Sequence, residues 1–224
     1  MIINIFIHTN IIIIVYFIII IIGINSTISG SVYGGYVISG NVIENKVTIE
    51  SGTVNGLTGG SADNGNALGN VVTIKGGSVN DTIIRGGWAM GSGDETGIAD
   101  GNKVIITGAD KDSAGISKVK GLGFGGTGAT KAINNTVEVS SVKTTNLFVT
   151  GGDSYDGEAS GNTVTVSGAS TSIGGATGGD SSEGSVYSNT VQVIKDAEVA
   201  SATGGYTTNG TVGAEGKGNR VLVD

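Results

Sequence analysis

The chain has 224 residues, 42 of them glycine, with no proline, no cysteine, one histidine and a formal net charge of −7. So much glycine without proline or a three-residue glycine period excludes collagen, and β-branched residues recurring at fixed offsets exclude a disordered chain. The twelve Lys and Arg are scattered singly, leaving no basic stripe for nucleic acid, and the lack of Cys with a lone histidine, His8, removes disulfides, thiolate chemistry and a Ser-His-Asp triad from the body of the chain.

The first element is apolar. Ile11 to Ile22 is an uninterrupted run, matching the core of an export signal and short for a membrane span. Residues 1–26 read as a signal peptide or an N-terminal membrane anchor, and residues 27–224 as the folded domain. Met1 to Asn10 carries no Lys or Arg and Ile24-Asn25-Ser26 is a poor cleavage site, so a misplaced translation start stands as a third reading.

From there a repeat organises the chain. The pattern Asn-x-Val-x-(Val/Ile) begins at Asn45, Asn70, Asn102, Asn135, Asn162, Asn189 and Asn219, and it alternates with Gly-Gly pairs that begin at Gly34, Gly59, Gly86, Gly125, Gly151, Gly178 and Gly204. Two and four residues after each Asn stand β-branched residues, from Val47 and Ile49 to Val221 and Val223, with mostly polar residues between them. That is the period-two signature of a strand with one face buried. Three residues before each Asn a small or apolar position recurs: Val42, Ala67, Ala99, Ala132, Ala159, Val186 and Gly216. One more apolar residue usually stands two before each Gly pair, but the copy at Gly125 has Gly123 there, flanked by Leu122 and Phe124.

One such unit cannot bury its apolar face alone, whereas stacked units share a continuous interior. The repeat therefore predicts an all-β fold, a parallel β-solenoid (β-helix) of about seven coils, on the order of 35 Å long at the strand spacing. The Gly pairs are expected at corners, supplying positive φ, and the Asn residues are expected to form a hydrogen-bonded ladder along the rod. Tyr36, Trp88 and Tyr206 each follow a Gly pair, in coils one, three and seven, and are expected to shield turns.

The Gly pairs, the polar loops and a stretch such as Gly-Asn-Thr-Val-Thr-Val-Ser-Gly (Gly161 to Gly168) resemble the passenger repeats of bacterial autotransporter adhesins, over about residues 28 to 224. The resemblance implies export, display at the outer membrane of a Gram-negative-type bacterium or secretion, and a role as structural stalk or adhesin with a host or cell-surface ligand, glycan or protein. Such proteins end in a membrane barrel, which this sequence does not contain. Membrane contact is then expected only through the N-terminal segment or a barrel encoded elsewhere, and the bare last strand predicts end-to-end self-association.

No shared catalytic residue runs through the repeat, so no enzymatic role is expected. A β-helical lyase or hydrolase working on polysaccharide with carboxylates is the alternative, but the outward column offers one isolated acid, Glu138. An ice-binding solenoid is a further alternative, and only Thr163 and Thr165 form the required pair. The metal candidate is a set of carboxylates in two equivalent loops: Asp153 over Asp180 and Asp156 over Glu183. They are expected about 5 Å apart at the strand spacing, with no Lys or Arg in either loop and calcium as the cation that would answer them.

Overall fold

Alternating Val and Ile against Thr and Lys favours strands, and the turn residues between them fold each repeat into three strands that face one interior. The computed structural model describes residues 19–22, 26–91, 96–214 and 216–224. It is an all-β parallel solenoid of about seven coils, with no helix among the described residues. No described helix is therefore long and apolar enough to cross a membrane.

Each coil contributes one strand to each of three sheets. The first sheet carries the long strands that hold the Gly pairs, such as Thr53–Ala62, Leu147–Ser154 and Gly175–Ser181. The second is made of short strands such as Ala67–Leu68 and Glu158–Ser160, and the third of the strands that follow each Asn, such as Lys103–Ile106 and Thr163–Ser167. Pairing is parallel and in register: Val104 lies opposite Val72 and Val137, and Val137 opposite Val164. The expected inward columns are the core from the first to the sixth coil, with Val47, Val72, Val104, Val137, Val164 and Val191 wholly buried; in the last strand Val221 and Val223 are exposed, because no further coil covers that end among the described residues.

The segment expected to direct export falls mostly outside the described residues. Its portion Ile19–Ile22 pairs with Lys46–Ile49 and extends the third sheet by one strand, with Ile22 buried.

The asparagine ladder is complete. The Nδ2 of each Asn donates to Oδ1 of the Asn one coil on: Asn45 to Asn70 (3.1 Å), Asn70 to Asn102 (3.0 Å), Asn102 to Asn135 (3.1 Å), Asn135 to Asn162 (3.1 Å), Asn162 to Asn189 (2.9 Å) and Asn189 to Asn219 (2.9 Å). The same Oδ1 also accepts the backbone N–H of the preceding Asn, as from Asn135 to Asn162 at 2.9 Å. The second Nδ2 hydrogen reaches back to a short-strand carbonyl, for example from Asn162 to Ala132 at 2.8 Å.

The Gly pairs are not corners. They lie inside the long strands and none has positive φ. They are glycine because of two close approaches. A Cβ on Gly151 would lie 2.4 Å from the carbonyl oxygen of Gly178 in the next coil, and a Cβ on Gly152 would lie 2.4 Å from Oδ1 of Asn162. The same two contacts recur along the rod, at Gly59 and Gly60 as at Gly86 and Gly87. Each Gly pair is thus the floor on which an Asn rests. The contact pinches the interior into a large Val/Ile/Leu lobe and a small lobe of Val42, Ala62, Ala67 and Ala89.

Positive φ falls instead on the residue before the Asn: Glu44, Gly69, Gly101, Asn134, Gly161 and Ser188. That residue turns the chain so the Asn side chain can enter the interior, and the Asn itself is not left-handed. In the seventh coil the short strand is Thr211–Val212, with Val212 opposite Val186, so Val212 and not Gly216 takes the expected small position. The extra residues of the fourth repeat leave the stack as a loop closed by a Lys111–Ser117 bridge, where Asp112 Oδ1 accepts from Ala114 and Ile116 at 2.9 Å each.

Replacing Gly152 with Ala forces a methyl into the Asn162 carboxamide and is expected to cost roughly 3 kcal/mol or more. Asn162→Ala, which strips the acceptor from two Asn135 donors and the donor from the Ala132 carbonyl, should cost a similar amount. Gly101→Asn, at a left-handed position with nothing near its missing Cβ, should cost no more than about 1 kcal/mol. Denaturant melts of the three variants check this ordering, and equal effects at Gly152 and Gly101 would contradict it.

Candidate ligand-binding face

The outward residues of the long-strand sheet form three columns. In one, Tyr36, Ser61, Trp88, Thr127, Asp153, Asp180 and Tyr206 follow one another from coil to coil. Beside it run Tyr33, Thr58, Arg85, Phe124 and Thr150. Outside both lies an apolar stripe of Ile83, Leu122 and Phe148 on three successive coils, 36%, 45% and 48% exposed. The glycine at 123, in register with the inward Ile84 and Val149, sits between two outward residues of this face. Gly123 fills the inward position against Val149, so Leu122 and Phe124 both point out. Apolar side chains standing together on an outer sheet face mark a contact site more often than chance exposure does.

Arg85 is the centre. Its guanidinium lies 4.4 Å from the Trp88 ring centroid and 5.7 Å from that of Phe124, and its Nε donates to Thr127 Oγ1 at 3.3 Å. Burial pulls the guanidinium below its ordinary pKa, while Tyr155, Asp153 and Tyr33 act the other way. These neighbours come from coils one, four and five, so one long side chain ties the face together along the axis. At its first-coil end Tyr33 and Tyr36 pack edge to face at 6.2 Å, and Tyr36 hydroxyl donates to Asp63.

Tyr36, Trp88 and Tyr206 therefore lie within strands rather than over turns, and the first two belong to a face spanning neighbouring coils. Thr58, Ser61 and Thr127 are buried although they stand in outward columns between Tyr33, Tyr36, Arg85 and Trp88, and Arg85 bonds directly to Thr127. The Ser61 Oγ and Trp88 Nε1, register partners in adjacent coils, are buried without a hydrogen-bond partner.

Of the four carboxylates singled out as metal candidates, Asp153 and Asp180 are register partners on adjacent strands. Asp156 and Glu183 sit on exposed turns beyond those strands. A positive charge missing from both loops reaches Asp153, though not Asp180, from Arg85 two coils away. No group of three or more His, Cys, Asp or Glu suited to a metal ion occurs among the described residues. The isolated acid of the neighbouring sheet, Glu138, forms an exposed ion pair with Lys103 at 2.6 Å. No family model matches the chain, nor does any curated protein or solved structure.

Burial, and then the nearby Asp180 carboxylate, push Asp153 up from 3.8 to about 6, with Arg85 opposing. The folded state thus holds this proton more tightly than the unfolded chain, so the Asp153 contribution to stability is full below about pH 4 and is lost as the pH rises through about 6. Wild-type chain should melt at a higher temperature at pH 4.5 than at pH 7 relative to Asp153→Asn, whose own curve lacks this component. Parallel curves for the two proteins would contradict it.

Proposed function

We propose that the chain is a secreted or surface-displayed solenoid that acts as a stalk and adhesin, its contact surface being the Arg85-centred face. The observation that carries this reading is the contrast between faces. The outward positions of the sheet that follows each Asn are mostly Thr, Lys and a paired Glu138, with Ile105 and Leu222 as apolar exceptions, whereas the long-strand sheet gathers Tyr33 and Tyr36 in coil one, Arg85 and Trp88 in coil three, Leu122 and Phe124 in coil four and Phe148 in coil five. Trp, Tyr and Arg are the side chains that dominate binding energy where surfaces meet. The resemblance to autotransporter passenger repeats supports the same reading, since a solenoid of stacked coils carries a face at a fixed distance from its point of attachment. A carboxylate enzyme is less well supported. The only outward acid of the neighbouring column among the described residues is held by Lys103, and Asp153 is answered by Arg85.

Display of the chain on a non-adherent bacterium tests the proposal by the number of cells retained under flow on glass, mucin and cultured cells. Retention should rise on at least one surface, fall about tenfold when Leu122 and Phe148 are both changed to Ser, and be unmoved by Glu138→Gln. No retention on any surface, or release of new reducing ends from a polysaccharide that stops with Glu138→Gln, would overturn it.

A further inference from the structure

We propose that the face between Tyr36 and Phe148 binds an extended neutral polysaccharide laid along the solenoid axis, a reading that deepens the adhesive role above and rests on it. A sugar ring has two C–H faces and a rim of hydroxyls that both donate and accept. Its binding site therefore needs apolar or aromatic surface beside polar groups held in a fixed plane. The Ile83, Leu122 and Phe148 stripe supplies the first on consecutive coils. Arg85 supplies the second, its planar fork of donors fixed by Trp88, Phe124 and Thr127, and the Asp153 carboxylate of the same face, within reach of its charge, adds an acceptor.

The spacing fits as well. Equivalent positions recur at about 4.8 Å per coil, comparable with the advance of one ring along an extended glycan, so successive rings meet successive coils. The stripe runs from coil to coil in pairing register, Ile83 opposite Leu122 and Leu122 opposite Phe148, and such a continuous line suits a chain lying along it better than the anchor side chains of a protein partner, which seek pockets. Charge selects among glycans. Asp63, Asp153 and Asp180 outnumber Arg85 on a chain of net charge −7, so an anionic polymer is repelled.

Trp88 is the only tryptophan in the chain, so its fluorescence reports on this face alone. The full chain is titrated with cellohexaose, mannohexaose and the anionic hexamer of galacturonic acid, following Trp88 emission and calorimetric heat. At least one neutral hexamer should shift the emission and bind. Phe148→Ser, Leu122→Ser and Asp153→Asn, each checked for native β signal by circular dichroism, should weaken it about tenfold or more, and the anionic hexamer should fail. Silence from both neutral hexamers at millimolar concentration, unchanged affinity in all three variants, or preference for the anionic hexamer would overturn the proposal. So would a wild-type dimer in sedimentation that Phe148→Ser makes monomeric, because the face would then be covered by a second copy. Retention under flow without sugar binding would remove the glycan and leave adhesion standing, whereas loss of both would remove both.

Discussion

An amide group taken out of water must find a partner for every donor and acceptor or destabilise the fold by the cost of its lost hydration. The ladder asparagines from Asn70 to Asn189 meet that condition in full. Taking Asn135, its backbone N–H and one Nδ2 hydrogen go to Asn162, its other Nδ2 hydrogen to the carbonyl of Ala99, and its Oδ1 accepts two bonds from Asn102. Its backbone carbonyl accepts from Thr163. From Asn70 to Asn189 every one of these bonds runs to a neighbouring coil, and only the first, Asn45, turns its second Nδ2 hydrogen to its own coil, at the Ile43 carbonyl; the ladder thus stabilises stacking and registers the coils at once.

Register is where the ladder and the glycines become one device. Apolar columns alone resist a slip of one residue but tolerate a slip of two, since the period of a strand is two. A two-residue slip would bring an Asn against Val or Thr on the facing long strand, where the Gly floor is needed. The Gly pair admits the carboxamide only at one place, and the left-handed residue before the Asn aims it there. Insertions are then confined to loops between strands, as at Lys111–Ser117, and the stack continues undisturbed on either side. The outer surface is free of these demands. That freedom is what permits coils three to five to carry Trp88, Arg85, Phe124 and Phe148 at positions that other coils fill with Tyr, Ser, Thr, Asp or Gly.

Much of the interior was legible because each of its demands repeats. Period two marked Val164 and Val166 as inward, and the recurrence of Asn and Gly-Gly at one spacing marked a single built feature. The reason for the Gly pair was not legible, since glycine serves a positive φ and a close approach equally well and sequence does not distinguish them. The left-handed site was visible at Gly69, Gly101 and Gly161 but hidden at Glu44 and Ser188, which adopt it against their preference. The outer face was half legible. Column and coil follow from spacing, and Gly123 between Leu122 and Phe124 was visible as a missing apolar residue at an inward position, with the phase of the strand unchanged. The reach of one long side chain was not, and so Arg85 beside Asp153, and the burial of Ser61 and Thr127 beneath their neighbours, emerge only from the packed structure.

Hydrogen exchange of the asparagine side chains addresses the ladder directly, because carboxamide protons exchange quickly in water and slowly when held in a buried network. In the folded chain the Nδ2 protons of Asn70, Asn102, Asn135 and Asn162 should be protected to about the extent of the core backbone amides of Val104 and Val137. Those of Asn64 and Asn209, on exposed turns, should exchange at the rate of a free amide. Rapid exchange at Asn102 and Asn135 while Val104 and Val137 stay protected would mean that the valine columns hold the coils together without the ladder.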